Sequence, residues 1–576
     1  MKKAVSAGLI VLAAAIGFAV RSSADDEGSH SGRFEFKPDT LVLSRSVYEG
    51  TASTVTVGQT LPPGCVATTI VLPTLAPPPA PSTTNVAVSC AVAADNGEYP
   101  NLSDTHNVWS NDKADGSFGV TSPIFLDNIT TDGHLLGTLP VPSDQIVTSF
   151  SSKSELALNL SSDKKSITFM GYRGGTGFAT GPNQLDVSNS NTPGVVDPTN
   201  PVVSEYYRSV AEVDADGHIQ ITEGNAYSGN NGRAAIKANS LYYMTGNDNN
   251  GGLSSKSEKP SQTGLTNTQI GLNLISSTGA ELLVPGQAPP VPPNINMIGD
   301  FEVTSIGYKT ADKPGKDNNF RGLTVFNNTM YVTKGSGGNG VNTVYQVGNA
   351  GSLPSGTTAA LKALPITILP GFPTSLASGV DQNGKAAAVM FPFGIWFANA
   401  NTLYVCDEGD GTLVTPAVNG NVADAATLAT AGVQKWTLVN GTWVRQYILQ
   451  NGLNIGVPYS VANYPAVLNP ATDGCRNITG RHNHDGTVTI FAVTSTISAN
   501  GDQGADPNKL VKVTDVLNAT TLPTGDGDHD RDDSWETFVT IRTALAGEVL
   551  RGVSLAPADR DFDDGDRDHG RDDGKR

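Results

Sequence analysis

Charge is scarce in this chain of 576 residues: Asp, Glu, Lys and Arg together make up 16% of it. Basic residues are the scarcer kind, 37 against 55 acidic ones, which leaves a net charge of −18. That balance excludes nucleic acid as a partner and offers nothing to an anionic membrane surface. It equally serves solubility. Beyond the first two dozen residues there is no apolar run long enough to cross a bilayer, so no integral membrane segment is expected. Helical periodicity is nearly missing, with Ala423 to Ala431 the best short candidate. No G-x-S-x-G elbow, H-E-x-x-H pair or phosphate loop stands in a usable context. Gly335 to Gly340 is rich in glycine but joins two strands, so it is no nucleotide cradle. The four cysteines fit no zinc spacing.

What the chain has is repetition. The stretch NFRGLTVFNNTMYVTKGSGGNGVNTVYQVG, from Asn319 to Gly348, reads as strand, tight turn, strand, glycine-rich loop and strand. Further copies open near Ser154, Asn231, Phe391 and Cys475. A repeating all-β unit that cannot bury both faces alone must stack on its neighbours, and radial stacking gives a β-propeller. The two ends complete one more unit. Leu550 to Leu555 matches the opening strand Phe320 to Val325, with no second strand after it. Thr40 to Ser46 reads as a second strand with no first strand before it. The expectation is an all-β, single propeller of six blades, its ring closed by a blade built from both termini. Seven blades is the alternative, because Phe301 to Ile306 also reads as a strand.

Residues 1–24 read as a secretory signal peptide: a basic start, an apolar stretch from Ala4 to Val20, and the small residues Ser22, Ser23 and Ala24 at the cleavage positions. The mature chain is expected to be exported, periplasmic or extracellular, with the propeller over 25–557. Residues 51–119 are expected as a long inserted surface loop, with the smaller insertions Pro182 to Asn200 and Gly286 to Asn296. Asp526 to Asp533 and the Asp/Arg-rich tail 558–576 cannot pack a core and are expected to be disordered. An exporting compartment permits disulfides. Four cysteines allow three pairings; Cys65 and Cys90 flank the proline-rich loop Leu72 to Ser82, which favours joining them, and the blade positions favour Cys406 with Cys475.

Function in a propeller usually sits at the channel mouth, where loops vary on a rigid support. The positions that open the innermost strands are Glu155, Arg233, Arg321, Phe393, Arg476 and Arg551. Four arginines aimed at one axis repel unless something negative lies among them. It is either a bound anion held by guanidinium forks or protein carboxylates, for which Glu155, Asp407 and Glu408 are the candidates. The bland alternative is that each arginine stitches its blade to the next. Asn231, Asp317, Asn319, Asp407 and Asp502 carry oxygens that suit calcium, the one cofactor considered, although Asn and Asp also favour plain turns. His134, His218, His482 and His484 sit at Asp-Gly turns and read as surface histidines.

The unit FRGLTVFNNTMYV and its copies resemble soluble propellers of the NHL and gluconolactonase-like superfamilies. That resemblance implies a metal held by Glu, Asn and Asp at the mouth, where this chain carries mostly arginine, with Glu155 at the acidic position. The phrases SFSSKSELALNLS, DVSNSNTPGVVDPTNP and NAYSGNNGRAA resemble a family of exported propeller proteins, which implies no activity. The tryptophan docking motif of quinoprotein dehydrogenases is missing, since Trp396, Trp436 and Trp443 fall in one blade. The leading functional expectation is an exported propeller that binds an anionic small molecule or extracellular glycan at the mouth. The rivals are a metal-dependent, lactonase-like or esterase-like hydrolase at the same mouth and a purely structural or protein-interaction module using the 51–119 insertion.

Overall fold

Two-residue turns fold several of the hairpins back on themselves. Asn327 and Asn328 have φ of 46° and 54°, and Asn440 and Gly441 have 50° and 80°. Asn and Gly tolerate this left-handed pair, whose twist matches that of the flanking strands. The strands themselves are rich in Val, Ile, Tyr and Thr, which suit a pleated, half-buried surface. The computed structural model describes residues 34–48, 120–150, 155–173, 204–247, 271–277, 295–310, 317–335, 338–411, 430–497, 504–523 and 536–558. It also describes residues 152 and 312 and shorter pieces within 56–92 and 190–202. The signal-peptide and tail expectations, Asp502, and most of the 423–431 stretch lie outside the described residues.

Six sheets stand around one axis. Blade 1 runs, from the inside outwards, Glu548–Leu555, Leu41–Val47, Ile124–Ile129 and Leu135–Pro140. It is the composite blade expected from the sequence: Leu41 faces Leu555 and Val47 faces Glu548 in an antiparallel ladder. Blade 2 is Asn159–Leu160, Ser166–Arg173, Arg208–Asp214 and Ile219–Gly224. Its innermost strand is short, because Leu156 turns at φ 62° just before it. Ile146–Ser149 takes over the remaining edge, pairing Val147 with Tyr172.

Blade 3 is Gly232–Ala238, Leu241–Gly246, Leu272–Ser276 and Asn296–Met297. Blade 4 is Leu323–Phe326, Thr329–Lys334, Thr343–Val347 and Ile366–Ile368. Blade 5 is Pro392–Asn399, Thr402–Asp407, Gly432–Val439 and Thr442–Leu449. Blade 6 is Ala471–His482, Thr487–Ile497, Lys509–Val516 and Val539–Thr543.

Seven blades is thereby ruled out. Val303–Ile306 is a 3-10 turn rather than a strand. The reason is local: Asn318 Oδ1 takes the amide of Phe301 at 3.1 Å, and Asp317 Oδ2 takes that of Val303 at 2.9 Å. Side chains thus claim the amides that a sheet ladder would need. The insertion after blade 1's second strand also differs from a plain extended loop. Thr68–Thr74 pairs with Ser82–Val88 as a hairpin. Both runs are rich in Thr and Val, and Cys65 bonded to Cys90 fastens the hairpin's base.

Aromatic side chains fill the gaps between blades. Tyr345 meets Phe301 at 4.9 Å and Phe320 at 5.4 Å, edge to face, beside buried Ala234 and Leu274 of blade 3. Phe326 of blade 4 stacks on Phe397 of blade 5 at 4.8 Å. Each such buried ring contributes about 1.5–3 kcal/mol by leaving water.

Close to the axis the blades meet through polar stitches that repeat around the ring. A hydroxyl on the second strand of one blade donates to an inner carbonyl of the next. Ser44 reaches Leu156 O at 2.8 Å, Thr168 reaches Ala235 O at 2.6 Å, Thr245 reaches Arg321 O at 3.2 Å and Thr333 reaches Phe393 O at 2.5 Å. Between blades 5 and 6 a disulfide does the same work, from Cys406 to Cys475. Between blades 6 and 1 Asn477 Oδ1 accepts from Val553 N at 2.6 Å. Glycine allows this closeness. A Cβ on Gly322 would lie 2.0 Å from Phe393 O, and one on Gly552 2.4 Å from Leu156 O.

Candidate functional site

Inner strands all begin at one end of the ring, and the second strands of the blades end there. Arg233, Arg321, Arg476 and Arg551 therefore open blades 3, 4, 6 and 1 at a common mouth, with Phe393 in the equivalent place of blade 5. All four arginines are buried. They do not stand alike. Arg551 is spent on the fold: Nη1 and Nη2 donate to the carbonyls of Ser152 and Phe150, and Nε donates to Ser46 Oγ at 3.1 Å. Arg476 Nε holds Glu408 at 3.0 Å. Arg321 lies over the Phe393 ring, 5.6 Å from its centroid. Burial pushes the Arg321 guanidinium down to about 10; Glu408 opposes this and Arg476 adds to it.

Arg233, like Arg551, is held by neutral acceptors. Its Nη1 donates to Asn319 Oδ1 and, at 3.0 Å, to Phe320 O; both acceptors are neutral. Its Nε meets no acceptor, and no described carboxylate pairs with it. The side chain is 3% exposed. Burial, and then the neighbouring Arg321, hold it well below an ordinary guanidinium, against the opposing pull of Tyr172, Glu155 and Tyr227. Around it lie other unmatched polar atoms. Asn231 donates to Ser152 Oγ at 2.9 Å, but its Oδ1 has no donor. Asn230 Oδ1 accepts from Asn247 at 2.8 Å, but its Nδ2 has no acceptor.

Carboxylates line the remaining arc. Glu155 accepts from Thr148 Oγ1 at 2.8 Å, Ser149 N at 3.0 Å and the Tyr172 hydroxyl. Burial raises it in spite of those bonds. Asp407 accepts from Phe391 N at 2.9 Å, Gly409 N at 3.1 Å and Gln434 Nε2 at 3.0 Å. Burial nonetheless pushes it up to about 7, and Glu408 adds to the shift. Asp317, also about 7 through burial, keeps Oδ1 without a donor.

The residues considered for calcium are placed, but not as a set. Asn319 is taken by Arg233, Asp317 and Asp407 hold backbone amides, and Asp502 is outside the described residues. Among the described residues no group of three or more His, Cys, Asp or Glu side chains is arranged to hold a metal ion. The turn histidines lie away from the mouth, His482 Nε2 against Ala398 O and His218 against Asp214.

Three mouth residues went unread in the sequence. Lys334 Nζ bonds Asn342 Oδ1 at 3.0 Å, and burial, then Arg321, pulls it down to about 7. The copies MYVTKG and LYVCDE put Lys334 and Asp407 at one place, which is a usable signal. Arg208 opens the third strand of blade 2 and donates to Asn230 O, Tyr206 O and Ser190 O. Asp473 in blade 6 precedes Arg476 and accepts from Gly411 N at 3.0 Å.

No protein-family model matches this chain, and neither does any curated protein. Solved structures of the parainfluenza virus 5 hemagglutinin-neuraminidase are similar. One, with the ligand DANA, has 9% identity over 75% of this chain and 84% of that chain, with a TM-score of 0.29. The ectodomain of the same protein has 9% identity over 75% and 76%, again at 0.29. Similarity of that degree assigns neither substrate nor mechanism. Of the resemblance to NHL and gluconolactonase-like propellers, the six-bladed ring is what stands.

Proposed function

We propose that this chain is an exported binding protein that takes an anionic small molecule, or the anionic end of an extracellular glycan, at the mouth between Arg233, Arg321 and Arg476. The observation that carries this reading is Arg233. A guanidinium buried with neutral hydrogen-bond acceptors is costly, because burial removes its hydration and the field of Glu155 only partly offsets that loss. A bound carboxylate, sulfate or phosphate would supply the missing charge through the fork geometry that arginine offers. Asn230 Nδ2 and Asn231 Oδ1 would add a donor and an acceptor, the pair that a hydroxyl-bearing ligand uses. Two disulfides accord with an oxidising compartment. No described helix is long and apolar enough to cross a membrane.

The test is calorimetry and thermal shift with glucuronate, sulfate and neutral glucose. Glucuronate or sulfate is expected to raise Tm and to bind, and glucose to do neither. Arg233→Gln should weaken binding about tenfold or more, worth ~1.4 kcal/mol, while the protein stays folded. If no anion binds, or if Arg233→Gln only lowers stability and leaves binding intact, the arginines are stitches and the reading fails.

A further inference from the structure

We propose that Lys435 and Asp515 condense into an amide, an internal cross-link between blades 5 and 6 that is independent of the anion reading. The strands place the two partners. Tyr404, Lys435 and Tyr447 stand directly opposite one another on the second, third and outer strands of blade 5, so their side chains form one row on one face of that sheet. In blade 6, Asp515 continues the buried series Val511 and Val513 along Lys509–Val516, where the alternation calls for an aliphatic side chain. Nζ of Lys435 lies 2.9 Å from Oδ2 of Asp515, and both side chains are 0% exposed. Tyr447 donates to Oδ1 at 2.7 Å, and Tyr404 donates to Oδ2. Nζ also reaches the Tyr447 hydroxyl at 2.8 Å and Val516 O at 2.6 Å. It lies 4.9 Å from the Tyr447 ring centroid and 5.8 Å from that of Tyr404. Both tyrosines belong to the same apolar cluster as Ile490 and Val513, so the pair is walled in by rings and aliphatic groups.

A second carboxyl completes the group. Glu536 is buried just before the outer strand of blade 6, and its Oε1 meets no donor. Its backbone stands at φ 54°, a left-handed setting that costs a glutamate, and its amide donates to Thr514 O at 2.9 Å, beside Asp515. The Glu536 carboxyl accepts from the Val516 amide, while Lys435 Nζ donates to the carbonyl of that same residue. In a strand these two groups point to one side, so both side chains meet one edge of Val516. Burial draws Lys435 towards the neutral amine, against the pull of Asp515 and Glu536. Burial, and then Asp515, raise Glu536 towards the protonated acid. An amine, an acceptor carboxyl and a proton relay are the parts that amide formation needs. The step balances. The Nζ lone pair forms a bond to Cγ of Asp515, and the Cγ–Oδ2 bond breaks. Two protons of the ammonium leave with Oδ2 as one water, relayed by Glu536, and Oδ1 on Tyr447 becomes the amide oxygen. One positive and one negative charge vanish, and nothing is oxidised or reduced. The two tyrosine hydroxyls stabilise the charge that builds on the carboxyl oxygens during attack. Burial supplies the drive: a charged pair at this depth has lost its hydration, whereas the amide carries no charge.

Tryptic peptide mapping by mass spectrometry, on the full chain purified folded and then reduced and denatured, tests this. The wild-type protein is expected to yield a branched peptide that joins the Lys435 segment to the Asp515 segment, lighter than the two together by one water, with no cleavage after Lys435. Lys435→Arg keeps the charge but forbids the bond, and should give the two segments as separate linear peptides. Glu536→Gln keeps the shape of the side chain and removes the proton relay; it should lose the branched peptide while its circular dichroism stays that of the wild type. Linear peptides alone from the folded wild-type protein overturn the proposal and leave an ion pair only. That reading is taken on the wild-type chain, so it does not depend on how any variant folds. A branched peptide that Glu536→Gln forms as fully as the wild type overturns the part given to Glu536.

Discussion

Cys406 is bonded to Cys475 at the place where the preceding interface has only the Thr333 hydroxyl on the Phe393 carbonyl. In MYVTKG and LYVCDE the two residues align, so a covalent link has replaced a hydrogen bond at one joint of a repeated seam. The joint lies directly under Asp407 and Arg476.

The first prediction concerns that joint. The bond closes a loop with a sequence separation of 69. Chain-entropy reasoning gives it about 4 kcal/mol, against ~1 kcal/mol for the hydroxyl it replaces. The double variant Cys406→Ser with Cys475→Ser should lose about 2–4 kcal/mol, read from the urea midpoint. Cys406→Thr with Cys475→Ser should recover part of that loss.

Glycines at the inner strands give the second. Gly322→Ala would drive a methyl into Phe393 O, and Gly552→Ala one into Leu156 O. Each should cost about 1–3 kcal/mol by overpacking against backbone that cannot move aside. Gly338 has nothing within 4 Å, so Gly338→Ala serves as the neutral comparison. Thermal unfolding of the three variants checks the order.

The third is a pH dependence. Burial raises Asp317, Asp407 and Asp473 to about 7, above the unfolded value of 3.8. Between those pH values the folded chain holds protons that the unfolded chain has released. Stability carried by these groups is therefore full below pH ~4, falls as pH rises towards about 7, and levels off above it. Asp473→Asn should flatten the stability profile in that window by up to about 1.4 kcal/mol per pH unit.

Arg551 supplies the fourth. Because its nitrogens hold Ser46, Phe150 and Ser152, Arg551→Gln should lower stability by about 2–4 kcal/mol and leave affinity for glucuronate unchanged. Arg233→Gln should do the reverse, so the two variants measured side by side separate fastening from binding.

The ring was legible because blades 4 and 5 restate one sentence, a short turn and then an apolar-Tyr-Val second strand, and blade 3 restates it with Leu241-Tyr242-Tyr243. The composite blade was legible for a like reason, since Leu550 to Leu555 matches the opening strand Phe320 to Val325. Where the restatement stops, reading stops. The 68–88 hairpin matches no copy, and Phe301 to Ile306 looks extended until Asp317 and Asn318 take its amides. At the mouth the arginine positions could be read because they repeat. Their separate duties could not, because Arg551 and Arg233 differ only in which carbonyls and carboxylates the folded ring sets beside them.

Ser44 and Gly552, 508 residues apart in sequence, share one ladder in blade 1. Three of that blade's strands are made early in synthesis, and its innermost strand is the last of the described strands to be made. A growing chain thus cannot pair Leu41–Val47 with its inner partner until Glu548–Leu555 has been made. Contacts spanning so much chain make folding slow.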